Sequence, residues 1–118
     1  MAFMASAVFM SSCVTVIKQD LSVSFRLHEG MTQDEVLTIM GKPIKTDFYK
    51  SVEEWHYCKT GVVGRNPDEF LALFFYENKL IAKKNYSVIG EYGSCESLIK
   101  MGNYKEPDNV TEIRLKYK

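Results

Sequence analysis

The chain has 118 residues, enough for one domain with a modest hydrophobic core. Apolar residues make up 46% and charged residues 25%, which is typical of a globular protein and excludes an intrinsically disordered chain. The formal net charge is zero and no basic cluster is present in the sequence, so nucleic-acid binding is not expected.

Residues 1–17 contain no charged side chain, and their apolar run of about nine residues matches the core of a signal peptide. The run is too short to span a bilayer. Met10-Ser11-Ser12-Cys13 resembles a lipobox, which predicts a signal peptide over residues 1–13 and lipid attachment at Cys13. No Lys or Arg precedes the run, so either the true start lies upstream or this segment is a first strand or buried helix with Cys13 in the core.

Residues 14–27 alternate apolar and polar side chains in short pieces, which favours extended structure. An amphipathic helix with both ends specified follows over residues 32–41. Thr32 is a favourable N-cap, and Glu35 completes a capping box with it. Gly41 provides the left-handed residue after the helix, and Pro43 prevents its continuation. Three apolar residues share one face of this helix: Val36, Ile39 and Met40.

From Lys45 the periodicity changes to two, which indicates β-strands. The segment Glu54–Cys58 reads as a strand with Trp55 and Tyr57 on one face. Phe70–Tyr76 is apolar on both faces and is therefore predicted to be a central strand. Leu80–Val88 returns after a tight turn at Asn78-Lys79. The helix can cover only one face of this sheet, so the other face meets the C-terminal segment, a partner or water.

The residues beyond about 89 form a C-terminal extension. Ser94 caps a predicted short helix through Met101 that ends at Gly102. After Pro107, apolar residues alternate with charged ones, which predicts a further strand containing Ile113, Leu115 and Tyr117. The extension is expected to pack on the domain through this strand, or else to remain an arm that binds a partner by strand addition.

These elements together resemble the SmpA/OmlA (BamE-like) lipoproteins, in which a Gly-Met-Thr-x-x-x-Val-x-x-x-x-Gly-x-Pro helix precedes a three-stranded antiparallel meander. Six residues match that helix motif in order: Gly30, Met31, Thr32, Val36, Gly41 and Pro43. Trp55-His56-Tyr57 and the hairpin that ends at Leu80 match the strands. The likeness covers residues 26–88. It implies an α+β domain of one or two helices on a three-stranded antiparallel sheet, with a helix at Leu21–His28.

The resemblance implies an outer-membrane lipoprotein that faces the periplasm and acts, without catalysis, as a scaffold or accessory factor in β-barrel protein assembly or envelope maintenance. Val14, rather than Asp, follows the acylated cysteine, which agrees with transport to the outer membrane. The implied partners are the outer membrane and the β-barrel assembly machinery, with no cofactor and no metal. The alternative is a protein-inhibitor or ligand-binding module, because similar helix-on-sheet domains also inhibit secreted enzymes and fold alone does not decide function.

If Cys13 is lipidated, Cys58 and Cys95 remain as an even pair in an oxidising compartment, which predicts a disulfide between them. The alternative is two separate thiols. His56 shares a strand face with Cys58, but no third orienting residue and no CxxC pattern accompany them, so no catalytic residue is predicted. A partner surface on the sheet is predicted, with core packing as the competing interpretation, at Trp55, Tyr57, Phe74 and Tyr76.

Overall fold

In a computed structural model, which describes residues 19–61, 68–86 and 105–116, four antiparallel strands form one sheet in the order β1-β2-β3-β4. The strands are β1 (Lys45–Tyr49), β2 (Val52–Lys59), β3 (Glu69–Tyr76) and β4 (Lys79–Tyr86). A 3₁₀ helix (Leu21–Arg26) and helix α1 (Gln33–Met40) precede the strands. Helix α2 (Asp108–Lys116) follows them. The α+β class is confirmed.

Helix α1 begins and ends where the sequence predicts. The Thr32 hydroxyl accepts a hydrogen bond from the Glu35 amide (3.3 Å), and the Thr32 amide donates to Glu35 Oε1 (3.2 Å), which completes the capping box. Gly41 follows with φ 77° and ψ −168°, a conformation that residues with a Cβ rarely adopt. The predicted apolar face is also confirmed, because the same core buries Val36 and packs against Ile39 and Met40.

The sheet has a separate hydrophobic core on each face. Helix α1 and the 3₁₀ helix cover one face, whose buried sheet residues are Trp55, Tyr57, Leu71, Leu73, Phe75 and Leu80. Helix α2 covers the other face through Val110 and Ile113, above Val52, Cys58, Phe70, Ala72, Phe74 and Tyr86. Strand β3 is therefore buried on both faces, as predicted, and the C-terminal segment is the second cover.

The prediction of three strands is wrong, because β1 adds a fourth strand at one edge. Although the period changes to two from Lys45, all five residues of β1 are exposed, so no buried apolar face marks a separate strand before Glu54. The turn between β1 and β2 consists of Lys50 and Ser51, both with positive φ (49° and 68°). Asn and Gly are the usual residues of such a hairpin turn, so the sequence gives little sign of it.

The C-terminal strand predicted after Pro107 is also wrong, because residues 108–116 form helix α2. The amides of Val110 and Thr111 bond to the Pro107 carbonyl oxygen at 3.0 and 3.1 Å and start the helix. Val110 and Ile113 lie three residues apart and therefore share a helix face, which packs on the sheet. This tertiary contact prevails over the alternation of apolar and charged residues.

Smaller differences concern boundaries. The turn between β3 and β4 is formed by Glu77 and Asn78, both with positive φ, one residue earlier than predicted. The extended structure favoured by the alternation at residues 21–27 is wrong, because Leu21–Arg26 is a 3₁₀ helix. The helix that the resemblance implies at Leu21–His28 therefore ends at Arg26. The predicted lipobox with Cys13, the helix from Ser94 and the half-cystine at Cys95 lie outside the described residues.

Replacing Thr32 with Ala should lower the free energy of unfolding by about 1 kcal/mol, because the amides at the start of α1 lose their cap. Thr38→Ala is the matched control in the same helix. The Thr38 hydroxyl donates to the Asp34 carbonyl oxygen (3.0 Å) on the exposed side of the helix, so its loss should change stability by less than about 0.5 kcal/mol. Urea unfolding measures both variants. Equal losses would contradict the role of the capping box.

We expect the protein to lose stability at alkaline pH because of Tyr57. Its hydroxyl donates to the Gly41 carbonyl oxygen (2.8 Å), and burial raises the pKa of Tyr57 above its ordinary value of 10.0. The folded state therefore holds the proton more tightly than the unfolded state does. The resulting stability is present in full below about pH 10 and is lost as the pH rises further.

Tyr57→Phe should remove this contribution, so its free energy of unfolding should fall less steeply above about pH 10. At neutral pH the variant should be about 1 kcal/mol less stable, because the Gly41 carbonyl loses its donor. Chemical denaturation of both proteins across the alkaline range measures the two slopes. Parallel curves would show that Tyr57 does not carry the effect.

Candidate functional site

The structure does not place the four predicted partner-surface residues on one accessible surface. Trp55, Tyr57 and Phe74 are 5%, 0% and 0% exposed, and Tyr76 is half-buried. Trp55 and Tyr57 also face α1, whereas Phe74 belongs to the core under α2. The prediction of a partner surface at these positions is therefore corrected: a helix covers each face of the sheet, and these aromatic side chains pack in the core.

The Gly-Met-Thr motif attaches the start of α1 to the edge of the sheet. The Gly30 amide donates to the Leu80 carbonyl oxygen (2.8 Å), and the Leu80 amide donates to the Met31 carbonyl oxygen (2.7 Å). Gly30 has φ 92°, and the Met31 side chain is buried. The motif residues therefore have structural roles in joining the first helix to β4.

The principal cluster of polar side chains lies under helix α2. His56 is 0% exposed and contacts two polar partners: Nε2 lies 3.0 Å from Glu54 Oε2, and Nδ1 lies 2.9 Å from the Tyr86 hydroxyl. The ionised Glu54 carboxylate can only accept hydrogen bonds, so these partners assign the proton of a neutral His56 to Nε2. Nδ1 then accepts from the Tyr86 hydroxyl. Glu54 and Tyr86 are buried as well.

Arg114 connects this cluster to helix α2. Its Nη2 donates to Glu54 Oε1 (2.6 Å), and its Nη1 donates to Glu106 Oε1. Its guanidinium also lies over the ring of Tyr49, 5.6 Å from the centroid. One cation thus bridges a carboxylate from β2, a carboxylate from the segment before α2 and an aromatic ring from β1. This arrangement, which we call the Arg114 cluster (Glu54, His56, Tyr86, Glu106 and Arg114), holds α2 on the sheet.

The geometry favours a structural role for the Arg114 cluster. A carboxylate, an imidazole and a hydroxyl in series are also the groups of an acid–base relay. Here His56 is fully buried and both of its ring nitrogens are engaged by side chains of the protein itself, so a substrate could not reach it in this conformation. Sequence reasoning missed the cluster, because it joins residues from β2, β4 and α2 that no spacing in the sequence relates.

A second polar region lies at an open cleft of about 610 Å³, lined by the 3₁₀ helix and by the ends of β2, β3 and β4. Ser22 lines this cleft, and its hydroxyl donates to Asp20 Oδ1 (2.5 Å). The Ser22 hydroxyl and amide hold the pKa of the Asp20 carboxyl below its ordinary value. Asp20 is the N-cap of the 3₁₀ helix, so its contact with Ser22 stabilises the start of that helix and does not activate Ser22 as a nucleophile.

No helix in the described part of the chain has the length and apolar character needed to cross a bilayer. Across residues 19–61, 68–86 and 105–116, no three His, Cys, Asp or Glu side chains are grouped so as to hold a metal ion.

Comparison with known proteins identifies the larger part of the chain. The family model described as the outer membrane protein assembly factor BamE domain matches residues 17–85, which is more than half of the chain. No curated protein matches the sequence. The matched range contains the 3₁₀ helix, α1, β1, β2, β3 and nearly all of β4, whereas α2 lies beyond it. The Arg114 cluster therefore joins the matched domain to a C-terminal segment outside it.

Removing the Arg114 guanidinium should be costly, because the buried Glu54 carboxylate would lose this ion pair. We expect Arg114→Met to lower the free energy of unfolding by about 3 kcal/mol. Lys116→Met, on the exposed side of the same helix, is the matched control and should change it by less than about 0.5 kcal/mol. Urea unfolding measures both variants.

A double-mutant cycle of Arg114→Met with Glu54→Gln tests whether the two side chains act together. We expect a coupling energy of at least about 1 kcal/mol, since the two residues share one ion pair. Strictly additive effects would show that Arg114 stabilises α2 without Glu54.

Proposed function

Because the chain belongs to the outer membrane protein assembly factor BamE domain family, we propose that it is a lipid-anchored protein on the periplasmic face of the outer membrane. There it acts as a non-enzymatic scaffold or accessory factor in the assembly of β-barrel proteins or in envelope maintenance. The observation that carries the proposal is the family match over residues 17–85.

The arrangement of polar side chains supports a non-enzymatic role. Glu54, His56 and Tyr86 are the groups best suited to acid–base chemistry. Their hydrogen bonds run within β2 and between β2 and β4, and Arg114 joins Glu54 to α2. Asp20 caps the 3₁₀ helix. The polar chemistry described above thus stabilises the fold, which agrees with a protein that presents surface to other proteins.

The proposed anchor is an acyl modification of Cys13. A single acyl chain binds a membrane only marginally, so stable attachment needs more than one chain, as a triacylated N-terminal cysteine provides. The anchor would keep the domain beside the membrane and raise its effective concentration for partners there. Met10-Ser11-Ser12-Cys13 supports this part of the proposal.

We also propose a disulfide between Cys58 and Cys95. Cys58 is fully buried in β2. The proposed periplasmic location is a compartment in which thiols are oxidised to disulfides. A closed loop of about 37 residues would stabilise the domain by about 3–4 kcal/mol in the chain-entropy model. The bridge would also tie the segment after β4 to the end of β2.

The intact mass of the full-length gene product, purified from membranes, tests both modifications. We expect a mature chain that begins at Cys13 and carries acyl groups, and whose mass rises by two hydrogen atoms when the disulfide is reduced. Cys13→Ser should leave the protein unacylated and outside the membrane fraction, whereas Cys58→Ser should remain anchored. An unacylated wild-type protein in the soluble fraction would contradict the proposed anchor.

Crosslinking in intact cells tests the proposed partners. Proteins of the β-barrel assembly machinery should be recovered with the wild-type chain and lost with Cys13→Ser, because the anchor places the domain beside them. Recovery of a secreted hydrolase instead, with inhibition of its activity, would favour the alternative of an inhibitor module.

A further inference from the structure

The two edges of the sheet differ in how the described chain covers them. The outer edge of β4 is partly paired, because Leu80 exchanges backbone hydrogen bonds with Gly30 and Met31. The Asn109 side chain donates to the Ile81 carbonyl oxygen (2.8 Å) on the same strand. At the opposite edge, no strand among the described residues pairs with the outer side of β1. The side chains of Phe48 and Tyr49 there are 70% and 56% exposed.

The hairpin geometry determines which backbone groups of β1 point outward. Tyr49 pairs with Val52 across the two-residue turn, so Tyr49, Asp47 and Lys45 bond to β2. The amides and carbonyls of Thr46 and Phe48 therefore point away from the sheet. The Phe48 amide agrees with this direction, because it donates to its neighbour Asp47 Oδ1 (2.9 Å) rather than to β2.

We propose that the outer edge of β1 binds the same edge of a second copy of this chain, in an antiparallel two-fold pairing centred on Thr46. In this register the outward amide and carbonyl of Thr46 bond to those of the partner's Thr46. Lys45 lies opposite the partner's Asp47, and Asp47 lies opposite the partner's Lys45. The two four-stranded sheets then form one continuous sheet of eight strands.

The charges of β1 select this register among the two-fold alternatives. Opposite charges facing each other across neighbouring strands stabilise a pair, and like charges destabilise it. A register centred on Asp47 places two carboxylates opposite each other, and one centred on Lys45 places two ammonium groups opposite each other. A register centred on Phe48 extends the pairing into the turn residues Lys50 and Ser51, which have positive φ. The register centred on Thr46 forms two opposite-charge pairs within the strand.

The contact is small, since stable interfaces bury about 1,200 Å² or more and β1 has five residues. The dimer is therefore weak, and the fraction of chains in the dimer rises with protein concentration. The exposed rings of Phe48 and Tyr49 lie on opposite faces of the strand and flank the pairing on both sides.

Charge exchange at two exposed positions tests the register. Lys45→Asp alone and Asp47→Lys alone each set like charges opposite each other, so each should weaken self-association about tenfold. The double variant Lys45→Asp/Asp47→Lys restores both pairs and should dimerise like the wild type. A mixture of the two single variants should form the heterodimer, because one chain then carries two carboxylates and the other two ammonium groups. Sedimentation velocity over a concentration series measures all five samples.

Thr46→Pro and Thr46→Val test the backbone pairing itself. Proline removes the outward amide at a position where an edge strand tolerates it, and valine keeps that amide. We expect the proline variant to remain monomeric with an unchanged far-UV circular dichroism spectrum, and the valine variant to dimerise. Amide hydrogen exchange in the wild type should slow at Thr46 as the protein concentration rises.

Several results would overturn the proposal. A wild-type chain that stays monomeric at every concentration would show that Lys45 and Asp47 protect the edge against pairing. Dimerisation that neither single charge change weakens would place the contact elsewhere. Failure of the double variant and of the mixture to dimerise would exclude the register centred on Thr46. Crosslinking of Thr46 to a different protein, without self-association, would assign the edge to that protein.

Discussion

The rest of the structure depends on the burial of β3 on both faces. Phe70, Ala72 and Phe74 point to one side and Leu71, Leu73 and Phe75 to the other, and all six are buried. A strand with two apolar faces needs both faces of the sheet to be covered, because an uncovered face would place several large apolar residues in water. The chain must therefore supply a cover for each side, and α1 and α2 supply them.

The two covers are stabilised in different ways. Helix α1 has a capping box and a glycine stop of its own, and it packs with the 3₁₀ helix on a broad apolar core. Helix α2 contributes only Val110 as a fully buried anchor, with Ile113 packed beside it. Its position depends on the ion pairs of Arg114 with Glu54 and Glu106. A short helix with a small apolar contact is thus fixed by buried polar partners, which accept few alternative positions.

This division has a consequence for recognition by other proteins. Because both faces of the sheet are covered, the aromatic residues of its centre do not serve as a docking surface while α2 is in place. Among the described residues, the outer sides of the helices and the edge strand β1 are exposed to contacts. The Arg114 cluster links the segment beyond the family domain to the centre of the sheet, so changes at α2 should affect the domain as a whole.

The sequence by itself determined the features that are encoded locally. The ends of α1, its buried face, the two-sided burial of β3 and the hairpin to β4 each follow from capping residues, apolar periodicity or turn residues within a few positions. Only the tertiary structure decided the fourth strand, the helical state of residues 108–116 and the Arg114 cluster. Strand β1 has no buried side, so no buried apolar face marks it in the sequence. In the short helix α2, apolar and charged residues alternate as they would in a strand. Arg114 and Glu54 are 60 residues apart in the chain. Their contact forms only when α2 packs on the second apolar face of β3, so no local spacing could predict it.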